Sequence, residues 1–105
     1  MKKENPYKNF METFGDDYIM QISIEELSEL IKAICKFKRA GIDIDKDRKE
    51  LVDSILEGIA DFEICMEELA IIFDGFEKIE EIKQNKIKKG AERAEKFKLK
   101  NKGNK

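Results

Sequence analysis

The chain has 105 residues, 42% of them charged, a net charge of −2, no histidine and two cysteines. That length fits one domain, the lack of histidine excludes Ser–His and Cys–His nucleophiles and imidazole metal ligands, and Cys35 and Cys65 stand too far apart for a zinc-binding pair. The charge is uneven, with 10 basic and 18 acidic residues over Met1–Phe76 and 11 basic and 5 acidic over Glu77–Lys105, so an acidic front precedes a basic back.

The first fifteen residues hold the only proline, Pro6, and three aromatic residues, Tyr7, Phe10 and Phe14. They predict a short helical piece over Tyr7–Phe14 that packs by its rings. Met1–Pro6 is followed by no apolar run of signal-peptide length, and no stretch reaches the roughly eighteen apolar residues of a membrane span. A cytoplasmic location and no membrane partner are therefore expected. The first long helix is predicted from Tyr18 or Ser23 to Arg39. Ser23 and Glu26 have the capping-box spacing, and Ile24, Leu27, Leu30, Ile31, Ile34 and Phe37 supply an apolar stripe. Gly41 is expected to end it, with Ile42-Asp43-Ile44-Asp45 as a short loop. The second long helix, about Asp45–Phe73, carries Leu51, Val52, Ile55, Leu56, Ile59, Phe62, Met66, Leu69 and Ile72 at helical spacing. Gly58 inside it costs roughly 1 kcal/mol against alanine and invites a packing or functional reason.

Asp74-Gly75 reads as a turn. A third long helix follows, with Phe76, Ile79, Ile82 and Ile87 facing inward, fraying near Gly90 or somewhat later. From Lys96 the chain is low-complexity and basic, which predicts a disordered tail. The expected organisation is an all-α bundle of three to four helices over residues 1–95 and a tail over 96–105. So small and charged a chain buries a modest core, and self-association of amphipathic helices is expected to complete it. Both cysteines fall in apolar helical stretches and read as reduced core thiols.

Two acidic motifs stand out, Glu25-Glu26-Leu27-Ser28-Glu29 and Glu57-Gly58-Ile59-Ala60-Asp61. Side chains three or four apart on a helix share a face, so Glu26 and Glu29 point at one spot and Glu57 and Asp61 at another. Packed face to face, these carboxylates would repel one another unless a cation sat among them. An all-oxygen set suits Mg²⁺, which usually keeps waters and phosphate in its remaining positions. The plainer reading of each motif is a solvated helix face. The late cations also have two readings. Lys83, Lys86, Lys88, Lys89 and Arg93 either solvate the last helix beside Glu80, Glu81 and Glu92, or Lys86, Lys89 and Arg93, at i, i+3 and i+7, hold phosphate oxygens. The tail lacks interleaved aromatic pairs and any helix-turn-helix pattern, so nucleic acid is not an expected partner.

These residues resemble the MazG-like, all-α nucleoside triphosphate pyrophosphohydrolases, particularly the small phage-encoded branch. Phe14-Gly15, Gln21, Glu25-Glu26-x-x-Glu29-Leu30-Ile31 and Arg39 are similar to the first block of that family. Leu56-Glu57-Gly58-Ile59-Ala60-Asp61-Phe62-Glu63-Ile64 resembles the second, and Lys86-x-x-Lys89-x-x-x-Arg93 the basic segment after it. The resemblance covers about Phe14–Arg93 and departs at Gly58, where the family places the glutamate of Glu-x-x-Asp. It implies a hydrolase assembled as a homodimer or homotetramer that cleaves a nucleoside triphosphate to the monophosphate and pyrophosphate. Glu26, Glu29 and Asp61 would hold Mg²⁺, or Mn²⁺ in its place. Glu25 or Glu57 would accept a proton from the attacking water, Lys86, Lys89 or Arg93 would clamp pyrophosphate, and Gln21 would meet the nucleoside. The alternatives are a non-catalytic helical interaction protein and a basic-tailed nucleic-acid-binding adaptor.

Overall fold

A computed structural model describes residues 5–40 and 48–103, and the expected loop at residues 42–45 lies outside them. Among the described residues the protein is all-helical: α1 (Lys8–Phe14), α2 (Asp16–Ala40), α3 (Arg48–Ile72) and α4 (Phe76–Gly103). None of these helices is long and apolar enough to cross a membrane. Two compact units divide the chain, Met1–Phe73 and Asp74–Lys105.

In the first unit, α1 closes on Gly15, whose N–H donates to the Met11 carbonyl at 2.8 Å. Gly15 has φ +84°, a conformation that costs glycine little and other residues much, and it lets α2 start at once. The aromatic residues pack as expected, Tyr7 edge-on to Phe10 with centroids 5.7 Å apart and Phe14 stacked on Tyr18 at 4.8 Å. Because α2 begins at Asp16, Ser23 lies inside the helix rather than capping it. Its hydroxyl donates to the Ile19 carbonyl at 2.8 Å, the back-bond that serine makes in a helix interior.

α2 and α3 form an antiparallel hairpin. Ser23 meets Cys65, Glu26 meets Asp61, and Leu30 meets Gly58, so one numbering rises as the other falls. At the end where α2 finishes and α3 begins, the Arg48 guanidinium sits 5.2 Å from the centre of the Phe37 ring, within range of a cation–π attraction. The interior corrects the expected apolar stripes. Among the described residues the buried ones are Met11, Ile19, Ser23, Cys65, Glu68 and Ala70, whereas Ile24, Ile31, Ile34, Leu56 and Ile59 are exposed. Cys65 is a buried thiol, but Cys35 is exposed rather than part of a core.

The apolar residues that are exposed or half-buried have their own order. Met20, Ile24, Leu27, Ile31 and Ile34 follow one another at alternating steps of four and three, the spacing of a coiled-coil seam. At 100° per residue this seam lies about a quarter turn from the face that meets α3. Leu51, Ile55, Ile59, Phe62, Met66 and Leu69 lie a similar arc from the inner face of α3. In an antiparallel pair, equal turns in the same sense bring both stripes to one side of the hairpin.

The second unit begins where α3 ends. Phe73 N–H donates to the Leu69 carbonyl at 3.0 Å, and Asp74 takes φ +49°, a left-handed conformation that aspartate tolerates better than most residues. The expected turn is there. α4 does not fray near Gly90 but continues as helix through Gly103, so Lys96–Lys102 is helical rather than a disordered tail. Phe76, Ile79, Ile82 and Ile87, expected to face inward, are all exposed.

Candidate functional site: an acidic pocket between two helices

Helical spacing builds the pocket. On α2, Glu26, Glu29 and Ala33 sit at i, i+3 and i+7; on α3, Ser54, Glu57, Gly58 and Asp61 sit at i, i+3, i+4 and i+7. These seven residues line one open pocket of about 300 Å³. Both acidic motifs thus contribute to one place, and no lysine or arginine is among the lining residues.

Glu26 registers that arrangement. Desolvation, followed by a hydrogen bond to Asp61 and the charge of Asp61, holds its carboxyl above the ordinary glutamate range; Glu29 and Glu25 push the same way. Removing negative charge from the pair, by a proton or by a bound cation, relieves the repulsion. The donor set is wholly carboxylate and hydroxyl oxygen, which suits a hard divalent ion. As the side chains stand, however, no group of three among the described residues is close enough to hold an ion. Glu29 and Glu57 line the pocket without closing on the Glu26–Asp61 pair.

Gly58 has a packing reason. A Cβ there would lie 3.0 Å from Leu30 Cδ1 and 3.5 Å from Leu30 Cα, so the glycine sits against the α2 backbone, with no room for a side chain unless Leu30 moves. A carboxylate side chain at this position requires Leu30 to yield. The missing glutamate and the close helix contact are therefore one feature.

The remaining predicted residues fall elsewhere. Glu25 is exposed and acts on Glu26 only through its charge. Gln21 is exposed and does not line the pocket. Lys86, Lys89 and Arg93 share one face of α4 and, with Ile82, Asn85 and Gly90, line a shallow concavity of the second unit. Sequence reasoning missed Ala33 and Ser54, although each lies seven residues from a predicted ligand on its own helix. It also missed the polar seam beyond the pocket. The Cys65 thiol is 3% exposed. Burial pushes its pKa up, a hydrogen bond with Ser23 opposes that, and the charges of Glu68, Glu26 and Asp61 add to the rise. Glu68, one turn further along, is 4% exposed.

No family model matches the chain, and no curated protein or solved structure matches it.

Proposed function

We propose that the protein is a Mg²⁺-dependent nucleoside triphosphate pyrophosphohydrolase of the MazG-like kind, with Mn²⁺ able to substitute. The observation that carries this reading is the joint lining of one cation-free pocket by Glu26, Glu29, Glu57 and Asp61, two from each of two facing helices. Glu26, Glu29 and Asp61 are the proposed holders of the ion. When bound, Mg²⁺ supplies charge neutralisation at phosphate oxygens and acidifies a coordinated water. Glu57, on the pocket wall, is the proposed acceptor of the water's proton; Glu25, outside the wall, is the lesser candidate. Lys86, Lys89 and Arg93 are proposed to hold the departing pyrophosphate, and Gln21 to meet the nucleoside.

The proposal includes self-association, as a homodimer or homotetramer. The partly exposed apolar seam on α2, open at Ile24, Ile31 and Ile34, and the half-buried stripe beside it on α3 are the proposed side that a second hairpin of the same kind would cover as a four-helix bundle.

A second reading is a diverged, non-catalytic helical interaction protein. It is favoured by the close approach of Leu30 to Gly58 at the position of the fourth ligand and by the lack of three converging acidic groups among the described residues. One experiment separates the two. Pyrophosphate release is measured from a panel of canonical ribo- and deoxyribonucleoside triphosphates with Mg²⁺ or Mn²⁺, on the native chain, Asp61→Asn and Gly58→Glu. Turnover by the native chain that Asp61→Asn removes supports the enzyme. Turnover only by Gly58→Glu shows a preserved scaffold whose catalysis has lapsed. Silence from all three favours the interaction protein.

A further inference from the structure

The continuation of α4 through Gly103 turns a run of lysines into a surface. At 100° per residue, Lys86, Lys89, Arg93, Lys96 and Lys100 fall within about 80° of arc, stepping by three and four. With a rise of about 1.5 Å per residue, the stripe runs for about 21 Å along the helix. Of the acidic residues of α4, Glu77, Glu80, Glu81 and Glu95 lie about 100° or more around the axis from the centre of the stripe, and Glu92 flanks it at about 80°. The ion pairs within α4, Lys83 with Glu80 at 3.8 Å and Lys98 with Glu95 at 3.6 Å, use lysines outside the stripe. The five stripe cations are all exposed.

Charge segregated in this way is more than a solubilising face, because a helix that only needs solvation can scatter its lysines among its glutamates. A single triphosphate would use the first three cations, and the stripe goes on for two more. A stiff row of cations fits a ligand whose negative charge is itself laid out in a row. Duplex nucleic acid carries about one charge per 1.7 Å of its axis. The five stripe positions themselves are all cations, and the nearest groups able to touch a base, Asn85 in the same concavity and the exposed Phe97, stand about 20° outside the arc, so the stripe meets phosphates rather than base edges. We propose that α4 docks on the phosphate backbone of duplex nucleic acid through Lys86, Lys89, Arg93, Lys96 and Lys100, without regard to base sequence.

The test is fluorescence anisotropy of the full chain with two labelled 20-base-pair DNA duplexes of unrelated sequence, titrated from about 50 to about 200 mM salt. Both duplexes should bind alike. The log–log dependence of the association constant on salt should have a slope of about −4.5 for five phosphate contacts. The variant K96Q/K100Q should lower that slope by about 1.8 while leaving pyrophosphate release unchanged. Glutamine and lysine have similar helix propensity, and circular dichroism confirms that helix content is kept. Absence of binding at the lowest salt would overturn the proposal, and so would an unchanged slope in the variant. Tight binding of a poly-glutamate peptide with none of duplex would overturn it in favour of an acidic protein partner.

Discussion

Glu68 is a carboxyl placed where water hardly reaches, and burial raises its pKa above the ordinary 4.5. Burying a charge without a partner is costly, so the folded chain favours the protonated form. In the window between the ordinary value and the raised one, the folded state holds a proton that the unfolded state has released. Stability therefore falls as pH rises through that window. Glu68→Gln, which keeps the shape and cannot ionise, should match the native chain below pH 4.5 and exceed it in stability towards neutrality. Urea denaturation across that range checks this, and parallel curves at every pH would refute it. Tyr7 lies near enough to feel the Glu68 charge. Its own phenol is held above the usual range first by its bond to Glu67, then by burial and the charges of Glu67 and Glu68.

At the scale of elements, the helices were legible because apolar and acidic residues recur at helical spacing, and Asp74-Gly75 punctuates them. The faces were not. Spacing shows that Ile24 and Ile31 share a stripe, but α2 has two such stripes, and the one richer in isoleucine is the exposed one. The buried face instead carries Ile19 and Ser23, with Glu26 and Leu30 against α3, a mixture that hydrophobicity alone does not single out. Ala33 and Ser54 were hidden for the same reason, since small neutral residues announce no chemistry. The length of α4 was misread because a lysine-rich composition signals disorder, while lysine itself is a good helix former. The exposed seam leads to a prediction about assembly. Ile31 is 61% exposed and central to the seam, so Ile31→Lys should shift the protein to monomer in sedimentation velocity with its helix content kept. A native chain that is monomeric at high concentration would remove the self-association proposal.

The whole molecule joins an acidic helical hairpin to a basic helix, and its response to ions should follow from the hairpin. A cation that binds only the folded pocket stabilises by mass action, by about 2.7 kcal/mol at a hundred times its dissociation constant. Mg²⁺ should therefore raise Tm in a concentration-dependent way, and Asp61→Asn should abolish the rise. An equal rise in the variant would point to general screening of charge instead. The Tyr7 phenol, donating to Glu67 at 2.5 Å across sixty residues of chain, has a consequence in time as well as in energy. The contacts of α2 with α3 nearest their connection, such as Phe37 with Arg48, close a small loop and should form early, because closing a small loop loses little entropy. The clasp between the two ends of the first unit must wait for the hairpin that presents Glu67. The N-terminal segment is then the last piece to settle during folding and the first to let go during unfolding.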